Sequence, residues 1–235
     1  MGKKAAMGEM VEFPTNGTTG GGYLAPATEG AGLGVIVVQE WWGLVDHIIE
    51  VCDRFAAEGF TALAPDLYHG KKVPNKEPDE AMRALMALDL ERAAKDLSGG
   101  LDFLMAHEAV RGSGAGVVGF CAGGGLALWL ATLRPDTIRA AVPFYGIAPN
   151  GAEPDWSALT ASVEGHYAEH DDLANQEAVA SFVARLQELG KEVRVFTYPG
   201  TTHAFFNDTR PEVYDDDAAR QAWVRTLEFL RAKLG

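Results

Sequence analysis

The chain has 235 residues, of which 20 are basic and 33 are acidic, so its formal net charge is −13. This negative balance argues against nucleic-acid binding, which requires clustered lysine and arginine side chains. No apolar run approaches the roughly 18 residues of a membrane-spanning helix, and the amino-terminal sequence MGKKAAMGEM contains no apolar signal core. We therefore expect a cytoplasmic, monomeric protein in which residues 1–235 form one domain.

Strand-like apolar runs alternate with helical patterns along the chain. Weak strands are predicted near residues 10–13 and 22–26, and stronger runs follow at 35–39, 61–64, 116–120, 140–145, 160–166 and 193–198. Apolar residues at helical spacing predict helices over residues 45–56, 126–133, 179–189 and 223–234. The alternation predicts an α/β fold whose mostly parallel central sheet carries helices on both faces, with the weak strands as an antiparallel edge. Residues 68–79 fit either a loop over a site or a plain surface connection.

The strongest local signal is the segment G-F-C-A-G at residues 119–123, which joins a predicted strand to a predicted helix. A nucleophile elbow needs this pattern because its central residue, here Cys121, takes a strained backbone conformation between neighbours that carry almost no side chain. The amino terminus of the helix favours a thiolate there. The alternative interpretation is a glycine-rich turn that holds a small buried cysteine. The other cysteine, Cys52, lies on the apolar stripe of a predicted helix, so we expect it in the core.

A thiol nucleophile requires a base, and the base requires an orienting carboxylate. In α/β-hydrolase sheets these groups follow the nucleophile in the order acid, then histidine. Asp171 and Asp172 follow the run at 160–166, and His203 follows the run at 193–198. Because the carboxyl ends of parallel strands meet at one edge of a sheet, we expect these groups beside Cys121. Either aspartate is able to orient the imidazole.

Glu40 follows the apolar run at 35–39 and precedes two tryptophans, Trp41 and Trp42. A carboxylate at the end of a buried strand is costly unless it is paired, so Glu40 is either a solvated strand end or part of a site with Cys121. In the second case, the backbone N–H groups of Trp41 and Ala122 are the expected oxyanion donors. The tryptophans either line an apolar substrate pocket or belong to the core.

Several motifs, taken together, carry a family resemblance. They are Gln39-Glu40, A-P-D-L-Y at residues 64–68, G-F-C-A-G-G at 119–124, Tyr145-Gly146, Asp171 and His203-Ala204-Phe205. With these motifs the chain resembles the dienelactone hydrolase family, which has the α/β-hydrolase fold. The resemblance implies a triad of Cys121, His203 and Asp171 that opens a lactone or ester through a thioester acyl-enzyme. It also implies that Glu40 interacts with the resting cysteine and helps to activate it when substrate arrives.

The resemblance further implies a small-molecule ester or lactone substrate and neither cofactor nor metal. The expected pocket residues are Trp42, Tyr68, Tyr145 and Phe205. Lactone-opening members of the family carry arginines that hold a substrate carboxylate, and the corresponding positions here are Gly70 and Asn207. Lys71, Lys72 and Arg210 lie near these positions in the sequence but do not match them. The natural substrate therefore stays open.

Two other function classes are considered. A glutamine amidotransferase-like cysteine enzyme shares the elbow, but places its acid shortly after the histidine, where this chain has Asp208 and Glu212. A non-catalytic α/β binding module would keep the fold but leave Cys121 unreactive. Each is weaker than the hydrolase interpretation, because Asp171 precedes His203 in the chain as the α/β-hydrolase order requires.

Some histidine signals are set aside. The pattern H-x-x-E-H at residues 166–170 resembles a zinc-peptidase motif, but that motif needs a helix and this segment follows a strand-like run. We therefore expect no zinc there. His47, His69 and His107 have no partner pattern and are expected at the surface.

Overall fold

The computed structural model describes residues 8–148 and 154–235, so most of the amino-terminal stretch without a signal core lies outside it. The strands are β1 (Glu9–Thr15), β2 (Thr18–Ala25), β3 (Gly32–Val38), β4 (Phe60–Pro65), β5 (Val110–Phe120), β6 (Ile138–Phe144), β7 (Ser162–His170) and β8 (Val193–Thr202). The helices are α1 (Asp46–Ala57), α2 (Pro78–Met86), α3 (Leu90–Ala106), α4 (Ala122–Leu133), α5 (Gln176–Glu188) and α6 (Asp216–Leu234), with a short 3-10 turn at Trp156–Ala158.

These strands form one sheet in the order β1-β2-β4-β3-β5-β6-β7-β8. From β4 to β8 every neighbouring pair is parallel, whereas β1 and β2 add to the β4 side in antiparallel orientation. The predicted fold class and its antiparallel edge are both confirmed. All seven residues of β3 are buried, which explains the continuous apolar run in the sequence, because a parallel strand is covered on both faces.

The helices cover the sheet on both faces and create two apolar cores. The first core includes the buried stripes of α1 and α6, and it contains Cys52 as expected. The second core includes the buried residues of α3, α4 and α5. A smaller cluster outside these cores joins Trp42 to Val73, in the 66–77 connection, and to Ala81 of α2. Among the described residues, no helix combines the length and apolarity needed to cross a membrane.

The structure corrects several local predictions. The connection that begins at Tyr68 is irregular only until α2, which starts at Pro78, and neither α2 nor α3 was predicted. His47 was expected at the surface, but it is 2% exposed and bonded to Asp208, so that prediction is wrong. His69 is about half exposed, and His107 is partly buried. The single-domain, monomeric organisation stays a prediction.

Candidate active site

Cys121 occupies a sharp bend between β5 and α4. Its backbone has φ 55° and ψ −122°, in a region that residues with a side chain rarely adopt. A Cβ atom on Gly119 would collide with the carbonyl oxygen of Gly123, and one on Gly123 would collide with the backbone at the end of β3. The glycines of the elbow are therefore sterically required, as the sequence pattern predicts.

Backbone hydrogen bonds fix the bend. The N–H of Cys121 donates to the carbonyl of Phe144 (3.0 Å), and its carbonyl accepts from the N–H of Gly124 (2.9 Å). Ala122 is the first residue of α4, so its N–H has no acceptor within the helix and points toward the amino-terminal end. The partly buried thiol thus lies where the helix dipole favours negative charge.

His203 directly follows β8, and Asp171 directly follows β7, so both lie at the same edge of the sheet as Cys121. His203 Nδ1 is 2.8 Å from Asp171 Oδ2. The other oxygen of this buried carboxylate accepts the N–H groups of Leu173 (2.8 Å) and Ala174 (3.0 Å). The imidazole contacts Asp171, whereas Asp172 is exposed. Burial opposes ionisation of Asp171, but the bonds from His203 and the two N–H groups keep the pKa of that carboxyl below its ordinary value.

The imidazole of His203 interacts with the carboxylate of Asp171 and with the sulfur of Cys121. Burial alone would lower the pKa of His203, but the bond to Asp171 and the closeness of the Cys121 sulfur outweigh it and raise that pKa to about 10. Nε2 is buried and has no oriented hydrogen-bond partner among the described residues. A buried N–H beside a sulfur is able to exchange a proton with a reacting group placed between them.

Glu40 is buried beside Cys121. The Cα atoms of Val38 and Gly119 are paired across the parallel strands β3 and β5, and Glu40 and Cys121 each lie two residues beyond that pair. Adjacent strands are about 5 Å apart, so the two residues are neighbours at the sheet edge. Glu40 is 2% exposed, which excludes the solvated strand end. Its carboxylate accepts from Tyr145 Oη (3.2 Å) and from Asn207 Nδ2 (2.9 Å).

The two tryptophans after Glu40 occupy different environments. The N–H of Gly43 donates to the carbonyl of Glu40 (3.2 Å) and closes a turn around Trp41 and Trp42. Trp41 is partly buried, whereas Trp42 is 2% exposed and packs against α2. Trp42 therefore belongs to a packed cluster, and the partly buried Trp41 packs against the same cluster.

The predicted pocket aromatics also divide into two kinds. Tyr145 has φ 40°, and its ring centroid is 4.9 Å from that of His203. Phe205 is fully buried and packs against the rings of Tyr145 and Tyr198, so it does not line an open pocket. Burial and the nearby Cys121 sulfur raise the pKa of Tyr68 to about 12, which places this partly buried phenol near the thiol. Tyr68 and Tyr145 thus flank the elbow, while Phe205 packs in the interior.

Two polar residues near the site make contacts that the sequence did not indicate. Asn207 is fully buried and bonds to Glu40, and nothing in its local sequence signals this partner 167 residues away. The guanidinium of Arg210 lies 5.9 Å from the centroid of the Trp42 ring, and its Nε donates to Glu212 (2.9 Å). Burial and the nearby Glu40 and Cys121 raise the pKa of Tyr145, and the positive charge of Arg210 partly offsets this rise. Arg210 is therefore close to Tyr145.

The signals for other functions find little support in the geometry. Asp208 bonds to His47 and Glu212 to Arg210, and neither bonds to His203 as an amidotransferase acid would. The H-x-x-E-H pattern lies on β7 rather than on a helix, with its first histidine buried and its second exposed. Within residues 8–148 and 154–235, no cluster of three or more histidine, cysteine or acidic residues is able to hold a metal ion.

Comparison with known proteins identifies the family. The profile of the Dienelactone hydrolase family matches residues 21–234. "Protein usf" of Aquifex pyrophilus is 39% identical over 97% of this chain and 100% of that protein, and a "Putative carboxymethylenebutenolidase" of Aquifex aeolicus is 34% identical with the same coverage. The crystal structure of a "Putative Dienelactone Hydrolase" from Klebsiella pneumoniae superimposes with a TM-score of 0.85 at 26% identity, over 97% of this chain and 99% of that one. The chain belongs to the dienelactone hydrolase family and is a hydrolase of carboxylic esters or lactones.

Proposed function

We propose that the protein hydrolyses a small ester or lactone through a thioester formed on Cys121, with His203 as acid and base and Asp171 as the orienting carboxylate. The observation that carries the proposal is the 2.8 Å bond between Asp171 and His203 Nδ1, which leaves the buried Nε2 unpaired beside a cysteine close enough to raise the pKa of the imidazole. A nucleophile, a base and an orienting acid in this order and geometry are what acyl transfer requires.

In the first step the thiol proton of Cys121 passes to His203 Nε2, the sulfur bonds to the carbonyl carbon, and the C=O electron pair moves onto oxygen. The N–H groups of Trp41 and Ala122 are proposed to stabilise this oxyanion. As it collapses, His203 gives its proton to the leaving oxygen, the C–O bond breaks and the thioester remains. In the second step water adds to the thioester carbonyl and His203 takes its proton. The C–S bond then breaks and the carboxylic acid is released.

Glu40 and His203 act on the sulfur in opposite directions. The positive imidazolium favours the thiolate, whereas a negative carboxylate two residues beyond the neighbouring strand disfavours it. We propose that Glu40 disfavours the thiolate of Cys121 in the resting enzyme and helps to activate the cysteine when substrate displaces water from the site.

The test is hydrolysis of p-nitrophenyl acetate by the wild type and by Cys121→Ala and Cys121→Ser. Both variants should lose essentially all turnover, and only the wild type should gain an acetyl mass on the tryptic peptide that contains residue 121 when it is quenched in acid. Cys52→Ser is the matched control, because Cys52 is the other cysteine and is buried in the core. Undiminished turnover by Cys121→Ala would refute the proposal, and ammonia release from glutamine would favour the amidotransferase instead.

A further inference from the structure

The carboxylate of Glu40 carries a charge that its contacts do not neutralise. Both of its oxygens bond to uncharged donors, the phenol of Tyr145 and the amide of Asn207. In the part of the chain that the structure describes, no lysine, arginine or histidine lies within ion-pair distance of it. Buried carboxylates usually face a cation, so this arrangement has an electrostatic consequence for any ligand beside it.

The orientation of the Asn207 amide is fixed by its other neighbour. Its Oδ1 accepts from the backbone N–H of Thr209 (3.1 Å) and from the hydroxyl of Thr209 (2.6 Å). A backbone N–H only donates, so the oxygen must face Thr209 and the NH₂ group must face Glu40. Asn207 is fully buried and is uncharged at every pH. It therefore holds the carboxylate of Glu40 in place without cancelling its charge.

Three cationic groups near the site each have an acidic partner. The imidazolium of His203 is bonded to Asp171, and the guanidinium of Arg210 is bonded to Glu212 (2.9 Å). Lys71, the nearest lysine to Tyr68 in the sequence, is 3.1 Å from Glu80. Once these pairs are counted, Glu40 remains as an uncompensated negative charge next to Cys121.

We propose that the site selects esters or lactones that are uncharged beside the scissile carbonyl and rejects those that carry a carboxylate there, with Glu40 and Asn207 as the specificity-determining residues. This inference rests on the proposed hydrolysis for its substrate class, although the local charge on which it depends is measurable without turnover. A carboxylate near Glu40 would be repelled in a buried, weakly screened site, whereas an uncharged group of the same shape would not.

The first experiment measures charge at the sulfur directly. Iodoacetamide and iodoacetate differ by an amide and a carboxylate of nearly equal shape, and both alkylate a thiolate. We divide the rate constant for iodoacetamide at Cys121 by that for iodoacetate, and compare this ratio with the same ratio for N-acetylcysteine. Both reagents react with the same thiolate, so the thiolate fraction cancels and the comparison reports the local charge. We expect the amide to be preferred at least about tenfold at low salt, and we expect salt to reduce that preference. Cys52 does not compete, because it is fully buried.

Variants identify the source of the preference. Glu40→Gln keeps the shape of the side chain and should return the alkylation ratio to near that of the free thiol. Asn207→Lys should also lower the alkylation ratio, because it places a positive charge beside Glu40. Circular dichroism checks that this variant is folded. Glu228→Gln removes one exposed carboxylate from α6 and is the matched control, whose ratio should equal that of the wild type. An unchanged ratio in Glu40→Gln, or equal rates for the two reagents in the wild type, would overturn the inference.

The second experiment asks the same question of substrates. Mono-4-nitrophenyl succinate and its terminal amide are compared by kcat/KM after subtraction of the enzyme-free rate, and the amide should be preferred at least about tenfold at low salt. Preference for succinate would contradict the inference, and loss of that preference in Arg210→Gln would assign anion binding to Arg210. If neither ester were hydrolysed while the alkylation ratio behaved as expected, the proposed function would fail and the charge assignment would stand.

Discussion

Within the described residues, two histidines are bonded through Nδ1 to an aspartate: His203, which is partly buried, and His47, which is buried. His203 is 2.8 Å from Asp171 and His47 is 3.2 Å from Asp208, and Nε2 of both rings is buried without a hydrogen-bond partner among the described residues. The difference lies in the surroundings of the two rings. The Cys121 sulfur is close enough to His203 to raise its pKa, whereas the His47 ring packs against the aromatic rings of Phe120 and Phe206, at centroid distances of 6.1 and 6.4 Å.

The carboxylates of the two pairs also differ. The side chain of Asp171 is fully buried and is further held by two backbone N–H groups, whereas 46% of the Asp208 side chain is exposed. An exposed carboxylate is solvated by water and constrains its partner less. The two pairs therefore differ in two respects: only His203 lies close to a cysteine, and only its carboxylate is fully buried.

The largest expected effect comes from removing each imidazole in turn. His203→Gln should reduce kcat/KM for p-nitrophenyl acetate by about 10³-fold, because general acid–base catalysis is lost. His47→Gln should change it by less than about threefold, since His47 contacts no proposed catalytic group. Steady-state assays of the two purified variants check this, with circular dichroism to confirm folding. Comparable losses in both variants would contradict the distinction between the pairs.

The next effect comes from the aspartates. Asp171→Asn should lower kcat by about 10²-fold or more, because an amide no longer holds the imidazole in its reactive tautomer or stabilises its charged form. Asp208→Asn should leave kcat within about twofold, because that carboxylate orients a ring that faces only apolar groups. The measurement is kcat at saturating ester. If Asp172→Asn instead produced the large loss, the orienting acid would be misassigned.

The stability of the His47 pair should depend on packing more than on its hydrogen bond. His47→Leu fills the space between Phe120 and Phe206 and removes a buried nitrogen that has no partner, so the free energy of unfolding should change by less than about 1 kcal/mol. His47→Ala leaves a cavity and should cost about 2 kcal/mol or more. Urea unfolding of the two variants decides this. Equal losses would show that the bond to Asp208 dominates.

At this site, the features that are determined by residues close together in the sequence could be predicted. The features that depend on contacts between residues far apart in the sequence could not. The elbow at Cys121 is predictable, because its glycines are required by atoms within a few residues and at the end of a neighbouring strand. His47 packs against Phe120 and Phe206, which are distant in the chain, and the role of Asn207 depends on Glu40. No local periodicity carries such information.

The missed helix α3 shows a second reason. It contains the glycine pair Gly99 and Gly100, and each glycine costs roughly 1 kcal/mol in a helix relative to alanine, so propensity argues against a helix there. The structure explains the pair by close packing. A Cβ atom on Gly99 would collide with the backbone of β1, and one on Gly100 would crowd the side chain of Pro65. Tertiary contact thus overrides a local preference.

A further prediction is that the His203 pair makes stability depend on pH. Asp171 and the Cys121 sulfur outweigh burial and raise the pKa of His203 to about 10, from an unfolded value of about 6.5. A raised pKa means that the folded protein holds the proton more tightly. The stabilisation is therefore fully present below about pH 6.5 and is lost as pH rises toward 10. The unfolding free energy of the wild type, minus that of His203→Gln, should fall across this window.

Urea unfolding between pH 6 and pH 10 checks the expected fall, and Cys121→Ala separates its causes. Because the sulfur is one of the groups that raise the pKa of His203, its removal should bring the upper end of the window to lower pH. The bond to Asp171 remains in this variant, so part of the effect should persist. A difference between wild type and His203→Gln that stayed constant across the window would mean that the imidazole does not hold its proton more tightly in the folded state. The electrostatic distinction between the two histidine–aspartate pairs would then be lost, and only the placement of the nucleophile would separate them.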